Sequence, residues 1–206
     1  KMNTKYTEEE ESFLLWFKDH SKNILIGITI GLSLILSFKY YDDSQSNLNH
    51  NLSLQYQNVI EKYNNGNNDS LLEKADEFSL NYPDNIYTNL LNLYAAKIYY
   101  DNNNNTKSLS SLDFVINHVN SPNIKMIAQV RKCRVLISDN KHDQAYNYIM
   151  SIDNHSSNPL FLELLGDIHY KNNEIDLARE FYLKTLTFNL PPNKQKVINN
   201  KINSIK

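Results

Sequence analysis

The sequence predicts an all-α chain, in which a single N-terminal transmembrane helix is followed by an α-solenoid of about four helix pairs. Three observations lead there. One apolar run, Ile24 to Phe38, sits near the start of an otherwise polar, Asn-rich chain of 206 residues. Beyond it, apolar residues recur at helical spacing in segments broken by short Asn-rich loops, and β-type alternation is scarce. Glycine occurs four times, too few for the turn chemistry that a sandwich or barrel consumes.

The apolar run comes first. From Asn23 to Phe38 there is no charge, and at about 1.5 Å per residue this stretch covers roughly 24 Å of a bilayer core about 30 Å thick. Lys22 and Lys39 close the gap by snorkelling, while Trp16, Phe17, Tyr40 and Tyr41 suit the two interfaces. Glu8 to Glu11 precede the run and Asp42 and Asp43 follow it, a pattern of a retained anchor rather than a cleaved signal peptide. No other segment is apolar all round, so nothing else in the chain is suited to enclose this one as a soluble core helix. The expected organisation is a tail over 1–21, an anchor over 22–41 and a large domain over 42–206.

Orientation follows from Lys and Arg. Lys5, Lys18 and Lys22 precede the span, whereas Lys39 stands alone on the other side until Lys62, which predicts a cytoplasmic tail and an external domain. Within the span Gly27 and Gly31 form a GxxxG motif, and Thr29, Ser33 and Ser37 make a second small, polar stripe. Both are candidate packing faces for another membrane helix, against the plain alternative that Gly and Ser are simply tolerated in such helices.

The net charge of −2 gives no global attraction to nucleic acid. Lys194, Lys196, Lys201 and Lys206 read as a solvated helix face. Cys133 is the single cysteine, so no intramolecular disulfide forms, and its apolar helical setting predicts a buried structural thiol. Six histidines are scattered without metal-ligand spacing, and no phosphate loop, nucleophile elbow or HExxH motif is present. We therefore expect no catalytic, cofactor-binding or metal-binding residues and no enzymatic activity. A rival reading is an enzyme with a noncanonical site, which a deep pocket with converging His and carboxylate groups would support and a shallow apolar and basic groove would not.

The clearest periodic segment is Leu162 to Pro192, two amphipathic helices around a loop at Lys171 to Asn173. Its spacing resembles a tetratricopeptide repeat, with Leu165 and Gly166 at the small-residue position, Ala178 and Tyr182 on the second helix, and Pro191 after it. His169, Asn173 and Thr185 stand where that pattern has an aromatic, a Gly and a small residue, which predicts looser packing. Stepping back 33 residues sets Cys133 opposite Gly166 and Ala145 opposite Ala178, giving a pair over Lys125 to Ile152. Ala95, Ala96, Tyr99, Leu112 and Val115 mark a third pair around the loop Asn102 to Asn105, offset by 37. Leu52 to Tyr63 with Ser70 to Pro83 make a fourth.

Stacked pairs share a core and leave a concave surface lined by their first helices, a surface suited to polypeptide. By register its candidate residues are Leu93, Lys97 and Tyr100, then Val130, Arg134 and Ile137, then Glu163, Asp167 and Tyr170.

Taken together the chain resembles the ancillary subunit of the bacterial Sec translocon. The likeness rests on EESFLLWFKDHSKNILIGITIGLSLILSFKYY from Glu10 to Tyr41, on LSLQYQNVI from Leu52 to Ile60, and on the last repeat, Leu165 to Leu186. The resemblance implies a single-pass inner-membrane protein with a tetratricopeptide-like periplasmic domain and no catalytic residues. Its implied partners are the Sec translocation channel, a membrane-anchored periplasmic chaperone and unfolded client proteins, with the membrane itself but no nucleic acid. The implied function is a non-catalytic accessory role that links emerging proteins to chaperones. The resemblance also implies a second role, regulation of a stress response through the cytoplasmic tail, and a further reading stays open, a membrane-anchored scaffold of another envelope complex.

Overall fold

A computed structural model describes residues 7–205; Lys5, used in the orientation argument, and Lys206 lie outside the described residues. The fold is all-α, and the described residues contain nine α-helices and no strand. In order these are α1 (Glu8–Asn64), α2 (Asn68–Asn81), α3 (Ile86–Asp101), α4 (Asn105–His118), α5 (Pro122–Ser138), α6 (His142–Met150), α7 (Pro159–Lys171), α8 (Ile175–Leu186) and α9 (Pro192–Ser204), with a 3-10 turn at His155–Ser157. The chain divides into two compact units, Lys1–Gln55 and Tyr56–Lys206.

In the first unit Glu10 accepts a hydrogen bond from the Thr7 N–H at 2.7 Å, half of a capping box that starts α1. The helix then runs on because no Gly or Pro interrupts it between Gly31 and Gly66. It is the one helix, among the described residues, long and apolar enough to cross a membrane. Its apolar side chains are not covered: Leu25, Leu34 and Phe38 are 66%, 67% and 73% exposed, which is unlike a core helix of a soluble domain.

In the second unit successive helices pack as neighbours. Leu93, Ala96, Leu112, Val115, Ala128 and Val135 join α3, α4 and α5. Val130, Cys133, Ala145, Ile149, Leu164 and Ile168 join α5, α6 and α7, and Leu109 touches both groups. Ala178, Tyr182, Leu190, Ile198 and Ile205 close the end between α8 and α9. Helices α5 and α7 begin about a turn earlier than periodicity alone suggests. Pro122 and Pro159 take their first positions, where a missing N–H costs nothing.

The turns inside the pairs share one construction. Gly66, Asn103, Asn140 and Asn173 hold φ values of 90°, 59°, 57° and 63°. In each, the next residue's N–H reaches back five positions to a helix carbonyl: Asn67 to Lys62, Asn104 to Tyr99, Lys141 to Leu136 and Glu174 to His169, all at 2.8–3.0 Å. This is the Schellman closure, which needs one left-handed residue; Asn supplies it three times out of four. The side chains of Asn67 and Asn104 then cap the following helices through the N–H groups of Ser70 and Lys107.

The looser packing expected at the last pair is not found. His169 stacks flat on Phe181, with centroids 5.1 Å apart, and its Nδ1 meets Glu174. The imidazole thereby does the packing of the missing aromatic ring. Thr185 is fully buried and its hydroxyl donates to the Phe181 carbonyl at 2.9 Å, so the extra polar atom is satisfied.

Candidate functional site

The first helices of three pairs, α3, α5 and α7, carry the residues expected by register. The turn residues Asn103, Asn140 and Asn173 are spaced by 37 and 33 positions, the same offsets that relate the three sets of candidates. The candidates fall into rows. Leu93, Val130 and Glu163 form an inner row that is only 7%, 4% and 4% exposed. Lys97, Arg134 and Asp167 make a charged row, the first two exposed and Asp167 half-buried. Tyr100, Ile137 and Tyr170 make an outer apolar row, with both tyrosines exposed.

Two open hollows lie along this face. One, of about 380 Å³, has Ala96, Leu112 and Val135 as an apolar floor and Lys97, Tyr100, Asp101, Arg131 and Arg134 around it. The other, of about 290 Å³, is lined by Arg134, Ile137, Leu164, Asp167 and Lys171 among others. Arg134 belongs to both, so the hollows adjoin. Register brought Lys97, Tyr100, Arg134, Ile137 and Asp167 together here, and it missed Arg131 and Lys171. Both were signalled by helical spacing, since Arg131 lies three residues before Arg134 and Lys171 four after Asp167.

The third set of candidates meets α9. The buried Glu163 carboxylate accepts hydrogen bonds from Lys194 and, at 2.9 Å, from Lys201. Lys201 also reaches both oxygens of Asp167, at 2.6 and 2.8 Å, and the Tyr182 hydroxyl donates to Asp167 at 2.7 Å. Lys194 and Lys201 are therefore not on a solvated face, as the sequence suggested; they reach across to α7. Burial pushes the Glu163 carboxyl up, but the two ammonium groups more than offset it and hold the group below the usual glutamate range. On α3 the Lys97 ammonium pairs with Asp101, and that contact raises its pKa.

Cys133 is fully buried, and desolvation pushes its thiol up to about 12. Among the described residues no three His, Cys, Asp or Glu side chains are grouped to hold a metal ion. On α1 the space beside Gly27 and Gly31 is open, with nothing within 4 Å of a Cβ built at either. The hydroxyls of Thr29 and Ser33 donate to the carbonyls of Leu25 and Thr29, each at 2.8 Å. They are satisfied within the helix.

Helix pairs closed by identical turns, small residues where the paired helices meet and an open inner face define a tetratricopeptide repeat-like protein that carries a long apolar helix. The sequence model of the tetratricopeptide repeat-like domain family matches residues 15–206. The chain belongs to the family of ancillary SecYEG translocon subunits. A relative of that description in Buchnera aphidicola subsp. Schizaphis graminum (strain Sg) is 31% identical over 153 residues, covering 74% of this chain and 78% of its own. Those of Buchnera aphidicola subsp. Acyrthosiphon pisum (strain APS) and Escherichia coli (strain K12) are 29% and 21% identical, covering 90% and 96% of this chain and 95% of each relative. No solved structure matches the chain.

Proposed function

We propose that the chain is a non-catalytic accessory factor of the Sec protein-export channel, held in the inner membrane by α1 with its repeat domain in the periplasm. The observation that carries this is the likeness to relatives described as ancillary SecYEG translocon subunits, which extends through both the apolar helix and the repeats. The exposed apolar surface from Leu25 to Phe38 supports the anchor, and Lys18 and Lys22 before it, against Lys39 after it, support an inward tail. The inner face of α3, α5 and α7 would hold polypeptide, either an emerging client or a membrane-anchored chaperone. Tethering then does the work: confinement beside the channel raises the effective concentration of a weak, broad binding surface.

Purification of the full-length protein from membranes in mild detergent, with partners identified by mass spectrometry, tests this. Recovery of the translocation channel is expected, and its loss when residues 23–38 are replaced by an unrelated anchor. A reproducible set of other envelope proteins without the channel would instead support the scaffold reading. Gly27→Leu with Gly31→Leu should reduce recovery of the channel while leaving the thermal melt of the repeat domain unchanged, because it fills the open face on α1. Undiminished recovery of the channel with that variant would remove GxxxG as the docking face.

A further inference from the structure

We propose that the groove along α3, α5 and α7 selects acidic polypeptide, an extended segment carrying Asp or Glu beside an apolar side chain. The inference rests on the reading that this inner face holds polypeptide, and it adds what the polypeptide must be. The argument is one of unpaired charge. Each carboxylate on the face already has a cation: Asp101 has Lys97, Asp167 has Lys201, and Glu163 has both Lys194 and Lys201. The basic groups between them have none. Arg134, common to both hollows, makes no hydrogen bond or ion pair among the described residues, and neither does Lys171; Arg131 donates only to the Leu93 carbonyl, at 3.1 Å.

The face thus presents a local surplus of positive charge on a chain whose net charge is −2. Helix α9 sharpens it, because two of its lysines neutralise the acids of α7 that would otherwise cancel Arg134. A guanidinium with free N–H groups beside a dry floor is suited to bidentate carboxylate recognition. The floor of Ala96, Leu112 and Val135 takes an apolar side chain, and the hollow around Ile137 and Leu164 takes the next. Complementary charge would set which segments are held and how fast they arrive.

The test uses the full-length protein in lipid nanodiscs and three fluorescent peptides of about twelve residues. All share the same apolar residues and differ in carrying Glu and Asp, their Gln and Asn isosteres, or Lys. Anisotropy titrations should show the acidic peptide bound about tenfold more tightly than its neutral isostere. The advantage should collapse at about 1 M salt, where the screening length is about 3 Å. Arg134→Glu with Lys171→Glu, both at exposed positions, should invert the preference in favour of the Lys peptide. Equal affinity for acidic and neutral peptides, or an advantage that survives salt, would overturn acidic selection and leave the polypeptide-binding face standing. Failure of all three peptides to bind would overturn both, and recovery of the channel from membranes is read separately.

Discussion

At Gly166 an added Cβ would lie 2.5 Å from Cε1 and 2.6 Å from Cδ1 of Tyr182, a ring that is itself 2% exposed and tied to Asp167 through its hydroxyl. The ring has nowhere to go. Gly166→Ala should therefore lower stability by about 1–3 kcal/mol, as overpacking does, read as a lower urea midpoint with unchanged slope. Adding Tyr182→Leu should recover part of the loss, since the two residues are in contact and their effects will not add. This position was legible in the sequence from the spacing of Gly166, Ala178 and Tyr182. What His169 and Thr185 do was not, because ring stacking on Phe181 and a hydroxyl bond to a carbonyl four residues back leave no mark on periodicity. Residue type alone made both look like losses.

At the scale of elements, the turns and α9 behave differently. The Asn-rich breaks were legible as loops, but their shared geometry appears only in the backbone angles. Asn103→Gly should leave stability unchanged within a few tenths of a kcal/mol, whereas Asn103→Val should cost about 1–2 kcal/mol, because a β-branched residue resists the left-handed region. Thermal melts of the two variants check this. Helix α9 was obscured because its lysines find their partners 31 and 38 residues away, beyond any local period. Its carboxylate partner makes stability depend on pH. With a folded value below the unfolded one, Glu163 contributes above the ordinary glutamate pKa of about 4.3 and loses that contribution as pH falls through the folded value. Melting temperature should stay level from neutral pH to about 5 as far as this group is concerned, and fall below about 4. Glu163→Gln should flatten that acid limb. It should also cost about 1–2 kcal/mol at neutral pH, a figure reduced from that of a fully buried pair because Lys194 and Lys201 remain 26% and 29% exposed.

For the whole molecule, the apolar helix and the paired helices were legible because each is written in a run of neighbouring residues. The charge of the inner face was not, because it depends on which acids are already paired. In the repeat domain helices pack chiefly against those next in sequence, so stability is passed along an array rather than pooled in one centre. Such an array can fold in the order in which it is synthesised, each pair docking on the one already made. The α9 latch breaks that sequence once. Until Lys194 and Lys201 have been added, the Glu163 carboxylate lacks both of its cations, and Tyr182, Ala178 and their neighbours lack Ile198 and Ile205. A chain terminated before Pro192 is thus not a shorter array with a clean end. It carries a charged and apolar stub, the kind of surface by which proteases tell an unfinished polypeptide from a finished one.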